Sequence, residues 1–265
     1  MIDINKAKSI FYKYLNDNKN DEQPGFLLKV DHTMYVLENA KDIASNLGLD
    51  NTSIELAQLI GLLHDIGRFY ELFLFKKFES VKFDHALYGV ELLFNTGLIR
   101  EFISDSSYDN IIKEAIFYHN KLSLPSNLDD RCLMHCKIIR DADILDNFRV
   151  KRDVDIRESF PSVVNDISDL EDSFISDAVY DSIINKRSVD IKDRKTPLDY
   201  WVCILGFVFN LSFKESLLIV KNNNYINILI DKFKYNNIDT KKKMEVIRDV
   251  INKYLEDNSG SDFFD

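Results

Sequence analysis

His32, the doublet His64-Asp65, His85, His119 and Asp143 stand in that order through the first half of the chain. They supply imidazole and carboxylate and no thiolate, the donor set of a catalytic site for a hard-to-borderline divalent cation. Four of the five histidines belong to the set, so the imidazole is concentrated where the acids are. One inward histidine is usually a hydrogen-bonded core residue. Several of them with two inward acids are another matter, because a buried carboxylate is costly unless an ion or hydrogen bonds neutralise it. The set predicts a divalent-metal centre.

Helices must present these side chains. Val36, Ala40, Ile43 and Leu47 recur at helical spacing, and His32 lies four residues before Val36 on that stripe, facing the core. Thr52-Ser53-Ile54-Glu55 has the spacing of a capping box and opens a second helix with the stripe Leu56, Ile60, Leu63. His64 follows Ile60 by four, Asp65 is about 100° further round, and Gly67 is expected to end the helix. Asp84 is the expected cap of a helix that begins with His85, with Gly89 leaving room for close approach. Asp109 is the expected cap of another, whose stripe Ile112, Ala115, Ile116 ends on His119. A fifth helix over about 130–147 puts Leu133, Cys136, Ile139, Arg140 and Asp143 along one side, with Asp141 roughly 200° from Asp143.

His32, Leu63-His64-Asp65-Ile66-Gly67-Arg68 and the final Asp141-Ala142-Asp143-Ile144-Leu145-Asp146 resemble the H…HD…D signature of the HD-domain metal-dependent phosphohydrolases, over about residues 26–150. The resemblance implies an all-α, HD-domain-like helical bundle with a metal held by His32, His64, Asp65 and Asp143. Asp84-His85-Ala86 and Tyr118-His119-Asn120 resemble family branches in which two further histidines bind a second metal or the substrate phosphate. Asp65, Arg68, His85 and His119 are then the catalytic candidates. The Gly-Tyr-Pro motif of the cyclic-dinucleotide phosphodiesterases is missing after His119, and Arg68 stands where those relatives carry Lys. Arginine can clamp a phosphate bidentately but cannot give up a proton. The expected activity is hydrolysis of a small phosphorylated metabolite, with a nucleotide as the expected class, Mn, Fe, Co or Ni as the metal and Mg able to substitute. HD-type di-iron oxygenases resemble the chain in the same ordered histidines and aspartates, and a non-catalytic nucleotide sensor is a third reading.

At 265 residues the chain can bury a sizeable core. A net charge of −10 argues against general nucleic-acid binding, which needs basic surface. Local basic residues at Lys76, Lys77 and Lys82, at Arg149, Lys151 and Arg152, and at Arg194 and Lys195 are candidates to meet an anion. Of these, Lys77, Arg194 and Lys195 join Arg68 as expected substrate contacts. Three cysteines, Cys132, Cys136 and Cys203, are odd in number and suggest a reducing cytoplasm. Cys132, His135 and Cys136 are too few and crowded for structural zinc, so His135 reads as an ordinary helix residue. The opening residues lack the apolar run of a signal peptide, and the apolar run from Trp201 to Phe209 is too short to span a membrane. The expected organisation is an HD-type domain over 1–152, a helical extension packed on it over 153–256, and a flexible tail over 257–265. In the extension, a helix is expected near 172–185, Thr196-Pro197 is a strong helix start, Ser212 to Glu215 has capping-box spacing, and a last helix covers about 240–256.

Overall fold

Gly61 decides how two of the site-bearing helices meet. In the computed structural model, which describes residues 2–17, 25–75, 83–160 and 163–260, helices α2 (Phe26–Asn46) and α3 (Asn51–Leu63) cross at this residue. A Cβ on Gly61 would lie 2.9 Å from the Leu37 Cα, so a larger residue would push the helices apart. Around that crossing Val36, Leu37, Leu56, Leu59, Ile60, Leu62 and Leu63 are fully buried. The cap of α3 is Asp50, whose carboxylate accepts from the Ser53 N–H at 2.8 Å. The expected Thr52 box does not form, because the helix already begins at Asn51 and Glu55 instead accepts from the Ile2 N–H.

The remaining elements of this unit are α1 (Ile4–Asp17), α4 (Ile66–Phe75), α5 (His85–Asn95), the short α6 (Ile99–Phe102), α7 (Asp109–Tyr118) and α8 (Asp130–Asp153). Asp84 caps α5 as expected, accepting from the Ala86 and Leu87 N–H groups. Asp109 is not a cap. It is the first residue of α7, where its charge suits the positive end of the helix dipole, and it pairs with Arg100. Gly67 does not end α3 but lies in the first turn of α4. A Cβ there would fall 2.2 Å from the His85 carbonyl oxygen, whereas one on Gly89 would find its nearest neighbours at 3.4 Å. The close approach of α4 and α5 therefore depends on Gly67 more than on Gly89.

The chain divides into two units, Met1–Asp146 and Asn147–Asp265, and α8 runs across the division. Within the second unit are the short helices α9 (Ile156–Ser159) and α10 (Ser168–Glu171), followed by α11 (Asp177–Ile184), α12 (Pro197–Leu205), α13 (Lys214–Asn222), α14 (Tyr225–Ile230) and α15 (Ile238–Ser259). Its core is built on Trp201, fully buried, with its indole N–H donating to the Leu229 carbonyl and its ring edge-on to Phe233. Thr196 caps α12 in a complete capping box with Asp199. The Ser212 spacing does not produce one, since α13 starts at Lys214 with Phe213 as its cap. α15 continues to the buried Ser259. Helices carry the fold and no strand occurs among the described residues, so the chain is all-α.

Candidate metal centre

The His-Asp doublet lies in the break between two helices rather than on one of them. His64 is the C-cap of α3 and α4 begins at Ile66, leaving Asp65 at the turn. Both oxygens of Asp65 therefore face side chains from different elements. Oδ2 lies 3.1 Å from His64 Nε2 and 3.6 Å from His32 Nε2, and Oδ1 lies 3.3 Å from His85 Nε2 and 3.5 Å from His119 Nε2. Asp143 completes the first side, with Oδ1 3.2 Å from His32 Nε2. The ligand atoms of His32, His64 and Asp143 all lie within 4.8 Å of one another, and so do those of His64, Asp65 and His119. Cys132, His135 and Cys136 form no such group among the described residues, and His135 is a buried residue of α8.

Partners on the far side of each ring fix its orientation. His64 Nδ1 is 2.8 Å from the Gly61 carbonyl oxygen and His119 Nδ1 is 2.6 Å from that of Ile116. A carbonyl only accepts, so each Nδ1 carries the hydrogen and a neutral ring turns a bare Nε2 toward Asp65. His32 Nδ1 is held at 2.7 Å by the Asp146 carboxylate, whose side chain is fully buried. His85 Nε2 lies 3.2 Å from the Asn120 amide nitrogen and 3.2 Å from His119 Nε2. With His119 Nε2 bare, His85 Nε2 either carries the hydrogen and donates to it or, when bare, shares a cation with it. His64 Nε2 and Asp65 Oδ1 are also buried without a hydrogen-bond partner. Orphaned acceptors of this kind fit a divalent ion and are costly otherwise.

Electrostatics divide the histidines. Burial and Lys29 oppose a charge on His32, but Asp143, Asp146 and Asp65 outweigh them and raise its pKa to about 10. Burial lowers the pKa of His64 against the pull of Asp65. Burial, with Arg68 beside it, holds His85 well below the usual imidazole range. Asp65 and Asp143 resist burial and remain well down in the carboxylate range, Asp65 through Lys29 and His64 and Asp143 through His32.

Arg68 is neither free nor a frayed helix end. Its Nη1 lies 2.6 Å from Oε2 of Glu71, which is fully buried, and its Nε is 3.9 Å from Asp65 Oδ1. Arg140 holds the loop after His119, donating to the carbonyls of Tyr118, Lys121 and Leu122. Asp84 pairs with Lys121 at 2.5 Å, joining the start of the His85 helix to that same loop. Lys76, Lys77 and Lys82 fall outside the described residues. Arg194 and Lys195 belong to the second unit, where Arg194 lies over the Tyr200 ring and the Lys195 N–H donates to Asp199. Lys151 and Arg152 are also engaged there, Lys151 over Phe160 and Arg152 with Asp153.

A family model described as HD domain matches residues 30–147. The chain carries an HD domain. The match encloses His32, His64, Asp65, His85, His119, Asp143 and Asp146 and begins just after Lys29. HD domains are typically metal-dependent hydrolases, and the match suggests the metal-dependent phosphohydrolase superfamily. No curated protein and no solved structure matches the chain, and no helix among the described residues is long and apolar enough to cross a membrane.

Four residues of the cluster carry no role in the sequence reading: Lys29, Glu71, Asn120 and Asp146. Lys29 stands three residues before His32, Glu71 three after Arg68 and Asp146 three after Asp143, so helical spacing contained the signal for each. Asn120 is reached only through the loop that Arg140 shapes, which spacing does not reveal.

Proposed function

We propose that this HD domain is a metal-dependent phosphohydrolase acting on a small phosphorylated metabolite, with nucleotides as the first class to test. The observation that carries the reading is the Asp65 carboxylate, which presents one oxygen to His32 and His64 and the other to His85 and His119. His32, His64, Asp65 and Asp143 would hold one divalent ion, and Asp65, His85 and His119 would hold a second. The nitrogen and oxygen donors favour Mn²⁺, Fe²⁺, Co²⁺ or Ni²⁺, and Mg²⁺ can substitute. When bound, such an ion makes water acidic enough to supply hydroxide near neutral pH.

The chain's own residues supply the rest. Glu71 aims the Arg68 guanidinium, which carries paired donors for a phosphate and stays charged throughout. Arg68 therefore neutralises charge and gives no proton. His85, pushed down by burial and by Arg68, is neutral at pH 7 and is suited to coordination rather than to acid catalysis. Asp146 and the carbonyls of Gly61 and Ile116 keep the other rings turned toward Asp65.

The test is a screen of phosphorylated metabolites against protein loaded with manganese, following released phosphate, with Asp65→Ala as control. The expected result is release from a restricted group of substrates, lost in Asp65→Ala while the helical spectrum is kept. Stoichiometric metal with no phosphate released from any substrate, or oxygen uptake by iron-loaded protein, overturns the assignment.

A further inference from the structure

Lys29 lies one helical turn before His32 on α2, and its Nζ contacts Asp65 Oδ2. This is the oxygen that faces His64 and His32. The ammonium thus stands on the same carboxylate oxygen that a first metal ion would share. An ammonium and a divalent cation on one oxygen repel strongly where little water screens them, and the side chain of Asp65 is only 5% exposed. Each occupancy therefore disfavours the other.

The side chains differ in how far they reach outward. Those of His32, His64, His85 and His119 are at most 6% exposed, while those of Lys29, Arg68 and Asp143 are 17%, 20% and 20% exposed. Lys29 therefore has a route toward solvent that the imidazoles lack, and its four-carbon stem lets the ammonium move without moving α2. No other described cation stands this close to Asp65, since Arg68 is held by Glu71 and its Nε stays 3.9 Å away.

We propose that Lys29 is a built-in occupant of the metal centre: it holds Asp65 in place while no ion is bound, and an entering divalent ion displaces it toward the outer edge of the site. The displaced ammonium then sits with Arg68 on the side from which an anionic substrate enters. The inference rests on the metal-centre reading but not on hydrolysis. The sign of the effect separates this role from a merely structural one. Removing a competitor tightens metal binding, whereas removing a group that organises the ligands weakens it.

Manganese titration of wild type and Lys29→Met, without substrate, reads that sign directly. Lys29→Met is expected to bind manganese at least tenfold more tightly and to melt at a lower temperature than wild type when metal-free. Affinity equal to or weaker than wild type overturns the proposal. Absence of manganese binding in both proteins removes the metal-centre reading itself and the proposal with it. Amine labelling of the wild-type protein, read by mass at Lys29, is independent of any folding defect in the variant. Manganese is expected to raise the Lys29 labelling rate several-fold, and an unchanged or lower rate overturns the displacement.

Discussion

Asp146 accepts from His32 Nδ1 at 2.7 Å, and this one hydrogen bond decides which nitrogen of His32 faces the acids across the site. The carboxylate is fully buried beneath the ring. With Nδ1 so engaged, Nε2 is directed between Asp65 and Asp143.

Asp146→Asn keeps the volume of the side chain but removes its charge. Losing a partner of this kind typically lowers metal affinity about 10–100-fold. Manganese titration should show that loss at unchanged far-ultraviolet circular dichroism. An affinity within twofold of wild type would show that Asp146 does not orient the ligand.

His119 tests the second side of Asp65. Wild-type protein purified with manganese, or anaerobically with iron, should hold close to two ions per chain, and His119→Ala should fall toward one. The centre built on His32, His64, Asp65 and Asp143 does not include His119 and should stay filled. One ion in both proteins would assign His119 and His85 to the substrate phosphate instead, with the loss appearing in the rate or the Michaelis constant.

The pKa of His32, raised to about 10 against the opposition of burial and Lys29, fixes a pH dependence. At pH 7 metal-free His32 carries a proton on Nε2 that an ion must displace, so uptake should release about one proton per chain in weakly buffered solution. Affinity should rise with pH up to about 10, by about tenfold per unit where this group alone titrates. The raised value also stabilises the metal-free fold: the contribution is complete below the unfolded value of 6.5 and is lost as pH rises through about 10. Proton release measured by an indicator dye, and melting temperatures of chelated protein across that range, check both statements. No proton release at pH 7 would contradict the charged His32.

Gly67→Ala should act on the site through the backbone. The added methyl would fall 2.2 Å from the His85 carbonyl oxygen, so α4 and α5 must separate. Overpacking of this kind costs about 1–3 kcal/mol. Because it moves His85 away from Asp65, the ion on the His85 side should be lost before the one bound by His32 and His64. Thermal denaturation and metal analysis together check this, and wild-type stability with full metal content would contradict it.

The sequence by itself determined the residue types of the centre, their order and the all-α class. Imidazoles and acids at helical spacing from apolar stripes must face inward, and helical periodicity is a local property of the chain. His32 and Asp143 lie on long helices, and their placement followed from spacing alone. The sequence did not determine that Asp65 sits in a break between α3 and α4. The stripe ending at Leu63 runs smoothly into His64, and only packing reveals where the helix stops. Nor did it show that Gly67 serves a helix crossing rather than a helix end, since the backbone it admits comes from His85, eighteen residues further along the chain. The tertiary structure decided which oxygen of Asp65 meets which histidines, and that Lys29, Glu71, Asn120 and Asp146 complete the cluster. Those relationships depend on distances between helices, which are set by side-chain volumes at their crossings and have no period in the sequence.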